Sequence, residues 1–242
     1  MTPEQTAASV KDRLGPYGFT WMSSPVVRGR AKEELGIRSR AMYHLGRVGV
    51  LGDVPVEVVT AVEAFYPPAV VQTHWSQGRA KVEPRDAALA YSGFCSDLAR
   101  ERWPDGDDVQ RLVALVERIV DAAEGAGLPL FVGWRLMPRP DDAPGRLGLL
   151  LNVLREHRGS VHAAAVAAVG LGPLEAIVAG SYGPDNARFF EWPEPYPEAE
   201  AFRPLWEAAE DLTCAAAAVP YRVLSAEERA ELVELMERLS VD

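Results

Sequence analysis

The sequence predicts a mainly α-helical protein, a multi-helix globular bundle, and three observations carry that expectation. Two capping boxes, Thr2-Pro3-Glu4-Gln5 and Ser225-Ala226-Glu227-Glu228, mark helix starts near both ends. Val109, Leu112, Val113, Val116, Ile119, Val120 and Ala123 recur at three- and four-residue spacing, the stripe of a helix with one broad buried face. Long alternating strand patterns are absent. With 242 residues, 48% hydrophobic and 25% charged, the chain has the side chains for a sizeable core.

The elements follow in order. The first helix runs from Pro3 to about Leu14, where Gly15-Pro16 should stop it. Residues 30–36 and 39–48 have helical spacing. Leu51-Gly52-Asp53-Val54-Pro55 is a turn into a helix with Pro55 first and Glu57 third, ending near Tyr66-Pro67-Pro68. His74-Trp75 then sits in a loop, as an aromatic anchor or the cover of a pocket mouth. Glu83-Pro84 opens a helix to Arg102, closed by Pro104-Asp105-Gly106, and the striped helix ends at Gly125. Leu128–Leu136 can form a short strand. Pro138–Pro144 is a loop, helical spacing resumes over 148–169, and Gly170-Leu171-Gly172-Pro173 turns into a helix to about Gly180. Residues 181–200 place five aromatics among four prolines, an extended segment pinned onto the helical body. The tail is helical, with Leu232, Leu235, Met236 and Leu239 on one face.

Charge and composition exclude several functions. The formal net charge is −10, which disfavours general attraction to nucleic acid or anionic membrane. Residues 181–242 carry 14 acidic and 5 basic side chains, and no Lys or Arg occurs between Gly159 and Ala187. The helix pair around Gly170 therefore lacks side chains to contact phosphates. The weakly polar run 163–180 is Ala- and Gly-rich and falls short of the ~20 strongly apolar residues of a membrane span. No basic and apolar leader opens the chain, so a cytoplasmic protein is expected. Cys95 and Cys214 form neither a disulfide framework nor a thiolate metal site, and are read as reduced, buried thiols. No Gly-x-Ser-x-Gly elbow, Gly-x-Gly-x-x-Gly turn or Walker-type loop is present, and no residue class points to a cofactor.

The most distinctive stretch is Asn152–His162, with two histidines, two arginines and a glutamate within eight positions of one helix. At 100° per residue His157 aligns with Leu150, Leu154 and Val161, on the apolar face, and His162 is turned by about 140° from it. The five-residue spacing opposes a shared metal, for which two histidines on a helix use i and i+4. His157 is then either a core histidine with one buried partner or the wall of a ligand cavity. Glu156 lies on the opposite side. Arg155, Arg158 and His162 form a cationic edge, which acids on a neighbouring helix would neutralise. Gly159 inside a helix suggests a closely crossing backbone. A second cluster, Arg28–Arg47, holds six basic residues against two acidic ones, with Tyr43 and His44 inside it. It is either a solvated, partly paired face or an anion or nucleic-acid contact.

Leu154-Arg155-Glu156-His157-Arg158-Gly159, followed by His162 and Ala163-Ala164-Ala165, resembles an actinobacterial family of helix-turn-helix-like proteins without a settled activity. Tyr43, Arg47, Leu51-Gly52 and Glu57-Val58-Val59 resemble that family's upstream motif, and Gly170–Ala176 its continuation. The likeness covers roughly residues 5–180 and implies helix-turn-helix-like packing. Two departures stand out. Ser160 replaces the family's usual aspartate, removing an acid that would pair with His162 or Arg158. The winged-helix segment expected after residue 180 is reduced or missing, so residues 1–180 are expected to form a helical core domain and 181–242 an acidic segment packing back onto it. Three functions follow as expectations. The first is a small-ligand-binding or regulatory protein with His157, Arg155, Tyr43, Arg47 and His162 as the polar wall. The second is a DNA-binding transcriptional regulator, disfavoured by charge. The third is a biosynthetic enzyme using His157 or His162 as general acid or base. The aromatics of 181–200 can also pack across a homodimer.

Overall fold

The computed structural model describes residues 1–239, and no strand occurs among them. Thirteen α-helices occur there: α1 (Pro3–Met22), α2 (Pro25–Leu35), α3 (Ser39–Val48), α4 (Val56–Glu63), α5 (Pro68–Arg79), α6 (Pro84–Arg102), α7 (Asp107–Ala122), α8 (Pro129–Arg135), α9 (Ala143–Ala168), α10 (Pro173–Ala179), α11 (Gly183–Phe189), α12 (Arg203–Ala217) and α13 (Ala226–Arg238). Both capping boxes form as the sequence indicates, with Thr2 and Ser225 accepting from the backbone N–H of Gln5 and Glu228. The period of α7 is equally direct, since Val109, Leu112, Val113, Val116, Ile119 and Val120 are all buried.

The 26-residue α9 runs through the centre, with α6, α7, α8, α12 and α1 packed around it. An enclosed helix must bury nearly its whole circumference, and over Leu147–Leu154 every residue of α9 does so. Close approach to α6 is set by Gly148. A Cβ there would lie 2.5 Å from the Ala99 Cβ and 3.0 Å from the Tyr17 hydroxyl, which donates to the Gly148 carbonyl at 3.0 Å and lies 3.2 Å from the buried Cys95 Sγ. Burial pushes that thiol up to about 12, so it stays protonated. Gly148→Ala is expected to cost about 1–3 kcal/mol of unfolding free energy in urea, the usual penalty for overpacking. A loss below about 0.5 kcal/mol would show that α6 yields.

Several expectations are corrected. Helix α1 continues through Gly15-Pro16 to Met22, because Pro16 is exposed and the stripe Val10, Leu14, Tyr17, Trp21 runs on past it into the core. The missing Pro16 N–H leaves only an Asp12 carbonyl, and Asp12 faces water. Residues 129–135 are helical, with Leu130, Phe131, Gly133 and Trp134 buried at helix spacing. His74 and Trp75 lie on α5, not in a loop, and Trp75 belongs to the core. Helix α4 stops at Glu63. Residues 183–189 of the aromatic segment form the short α11, and the segment is fastened to its own chain: Phe190 meets Tyr66 edge-on at 4.6 Å, and the Trp192 indole N–H donates to the Phe65 carbonyl at 2.9 Å.

Candidate functional site

The site grows from the facing surfaces of α3, α4 and α9. Helix α3 presents Tyr43, His44 and Arg47, and Arg47 neighbours both of the others because it lies four residues after Tyr43 and three after His44. Arg47 makes a bidentate contact with Glu156 of α9, Nε to Oε1 and Nη2 to Oε2, both at 2.9 Å, and Arg155 Nη1 donates to the same Oε1 at 2.7 Å. Glu156 is fully buried. Burial pushes its carboxyl up, but the Arg47 and Arg155 guanidiniums outweigh that and hold it below the usual carboxylate range. Burial likewise opposes charge on Arg47, and Glu156 with Glu63 keeps it protonated.

Glu63, the last residue of α4, extends the network. One carboxylate oxygen is hydrogen-bonded to His44 Nδ1; the other, Oε1, lies 3.5 Å from Arg47 Nη1, buried and without a hydrogen bond. His44 in turn stacks on His74 at 5.3 Å, nearly parallel, and His74 Nε2 lies 3.8 Å from Glu191. Burial, then His44, holds the His74 imidazole below its ordinary range.

This network walls a cavity of about 240 Å³. Tyr43, Arg47 and Arg155 are brought together on it, joined by Lys11, Glu63, Phe65, Tyr66, Arg158 and Phe190. Gly18 admits the Arg155 side chain, since a Cβ there would fall 2.4 Å from Arg155 Cδ. Gly159 also lines the cavity, and this corrects the expected backbone crossing: nothing lies within 4 Å of a Cβ built on it.

The two histidines of α9 lie elsewhere. His157 lines neither this cavity nor the second one described below. It is 5% exposed, edge-on to Phe131 at 4.9 Å, and burial with help from Arg135 lowers its pKa to about 4. His162 Nδ1 lies 3.0 Å from Thr213 Oγ1 and 3.3 Å from Glu210 Oε1, and its ring stacks obliquely on Phe65 at 5.5 Å. Glu210 of α12 also takes Arg158 at 2.9 Å and Lys11 at 3.8 Å, so the Arg158 and His162 part of the cationic edge meets an acid on a neighbouring helix as its composition suggests, while Arg155 pairs with Glu156 of α9. Glu210 supplies the acid that Ser160 does not.

The residues that sequence reasoning passed over are Glu63, Tyr66 and Phe65. A signal for Glu63 existed, because it stands four residues after the buried Val59 and so on the buried stripe of α4. Of the basic cluster 28–47, Arg30 pairs with Glu34 and Asp97, Arg40 with Glu191, and Arg47 with Glu156.

A second cavity of about 560 Å³ lies across the Val62–Phe65 segment. Val62, Ala64, Phe65 and Ala163 line both cavities. The second has no charged side chain in its wall, and only Thr60 and Ser160 contribute hydroxyls.

Beyond it, α9 and α10 meet at 107° across a turn holding Gly170 at φ +75°, the shape of a helix-turn-helix. In α10, however, Ala176, Ile177, Val178 and Ala179 are buried. Among the described residues no single helix is long and apolar enough to cross a membrane. No curated protein and no solved structure matches the chain. A family model does match, over residues 7–195, and with most of its length covered the chain belongs to the helix-turn-helix family.

Proposed function

We propose that this member of the helix-turn-helix family is a cytoplasmic, regulatory-type protein that binds a small organic ligand in the 240 Å³ cavity, with Tyr43, Arg47 and Arg155 as its polar wall. The observation that carries the reading is the placement of Glu156, a fully desolvated carboxylate, behind the Arg47 and Arg155 guanidiniums that face an open space, with the buried Glu63 beside them in the wall. Burying such charges is a weak way to stabilise a fold. It is an effective way to fix donors for a ligand in a site sheltered from water. His157 and His162 act from outside this wall, as packing and as a neighbour of Thr213 and Glu210.

Gly159→Leu tests the reading cleanly. The cavity is open above Gly159, so the side chain enters it without displacing backbone, and replacing a mid-helix glycine removes a penalty of about 1 kcal/mol. The variant is expected to melt at or above the wild-type temperature. It is also expected to lose the melting-point rise that a bound metabolite gives the wild type in a panel screen. A panel in which the wild type responds to nothing, or in which Gly159→Leu responds as the wild type does, counts against this cavity.

A DNA-binding regulator is the second reading, favoured by the 107° junction of α9 and α10. The buried face of α10 and the lack of Lys and Arg from Gly159 to Ala187 oppose it. Titration of labelled duplex at low and moderate salt separates the two: salt-sensitive binding would restore the DNA reading.

A further inference from the structure

Resting on the ligand-binding reading above, the two cavities and their shared wall define the ligand's chemical class. Four cations, Lys11, Arg47, Arg155 and Arg158, border the first cavity. The carboxylates that pair with them are three, Glu63, Glu156 and Glu210, so with histidines counted as neutral one positive charge is left over. The second cavity is larger and uncharged. What separates them is a strained piece of backbone. Ala64 has φ +28° and ψ −44°, outside the regions open to a residue with a Cβ, and the Phe65 N–H turns back to the Glu63 carbonyl. Such strain costs about 1–3 kcal/mol and persists where surrounding structure enforces it, typically beside a ligand. Here the enforcing contacts are the Trp192 indole on the Phe65 carbonyl and His162 against the Phe65 ring.

We infer that the two cavities are halves of one site for an amphipathic organic monoanion, with its carboxylate held by Lys11, Arg155 and Arg158 and its apolar tail passing Phe65 into the 560 Å³ cavity. The unmatched positive charge selects the head. The uncharged wall of Val62, Leu130, Val166 and Leu171 gains from each methylene withdrawn from water.

Calorimetric titration of the full chain with butanoate, hexanoate, octanoate and decanoate, and with the matching alcohols, tests both halves. Affinity is expected to rise roughly fourfold per methylene, about 0.8 kcal/mol each, until the tail space fills. The alcohols are expected to bind at least tenfold more weakly. Ala167→Trp places an indole at the second cavity from an exposed position on α9, and is expected to abolish the gain with length. Alcohols binding as well as acids would overturn the anionic head. Acids binding without a gain in length, or a gain that survives in Ala167→Trp, would overturn the tail and leave the polar cavity standing. Absence of binding across both series would overturn the amphipathic class, and the metabolite panel with Gly159→Leu then decides the broader reading separately.

Discussion

Glu156→Ala is expected to lower the unfolding free energy by about 3–5 kcal/mol, the usual result of removing one partner from a buried ion pair. The stranded positive charge, more than the missing side-chain packing, is the cause. Arg47, with a side chain only 11% exposed, would keep one distant carboxylate, Glu63 at 3.5 Å, in place of a bidentate pair, and Arg155 would lose its acceptor. Three variants separate charge from packing. Glu156→Gln preserves shape, so if charge dominates it should fall within about 1 kcal/mol of Glu156→Ala. The double variant Arg47→Met with Glu156→Leu replaces the pair by apolar groups and should recover much of the loss. Urea titrations with unchanged m-values provide the comparison. A single-variant loss below about 1 kcal/mol would mean that water already reaches this carboxylate. Because Glu156 is held below the usual carboxylate range in the folded state, its contribution is complete above about pH 4.3 and disappears as the pH falls through its folded value.

Why Glu156 looked ordinary in sequence has a physical explanation. The helical angle correctly sets it opposite His157, and opposite an apolar face ordinarily means solvent. That inference assumes a helix with one wet side. Helix α9 has none over Leu147–Leu154, since α1, α6, α7, α8 and α12 surround it, and Glu156 just beyond that stretch is fully buried too, so its carboxylate meets Arg47 and Arg155 instead of water. Periodicity reports a helix's own faces and is silent on how many neighbours cover them. The same gap explains Leu128–Leu136: a short apolar run reads equally as strand or helix, and only packing of Phe131 and Trp134, whose indole donates to the Arg47 carbonyl at 3.0 Å, decides it. Local chemistry was legible where it acts locally, as at the capping residues Thr2 and Ser225, Pro84 and Pro173 at helix starts, and the stripe of α7. Of the five residues that the sequence suggests as a polar wall, Tyr43, Arg47 and Arg155 lie on one cavity and His157 and His162 do not. Glu63, Phe65 and the second cavity were not legible, because they depend on where α4 stops and how Ala64 turns.

Between about pH 6.5 and pH 4 the protein is expected to lose roughly 3 kcal/mol of stability through His157 alone. Its pKa is lowered to about 4 because burial beside Phe131, with the Arg135 charge nearby, disfavours the imidazolium. The unfolded chain titrates near the ordinary value of about 6.5. Above that pH neither state binds the proton and His157 contributes no slope. Below it the unfolded state takes up a proton that the folded state refuses, so stability falls until the folded ring titrates near pH 4, and about 1.36 kcal/mol per unit sets the total. His162 and His74, both also lowered by burial, add slopes of the same sign, so removing His157 should flatten the curve only in part. His157→Leu keeps an apolar side chain against Phe131 and cannot titrate. Urea midpoints measured across this range are expected to show the variant losing about 3 kcal/mol less than the wild type between the two ends. Parallel curves for the two proteins would place the ring in water. That outcome would also reopen the side of α9 facing Phe131 as a wall for ligands, in competition with the arginine-lined cavity on the opposite side.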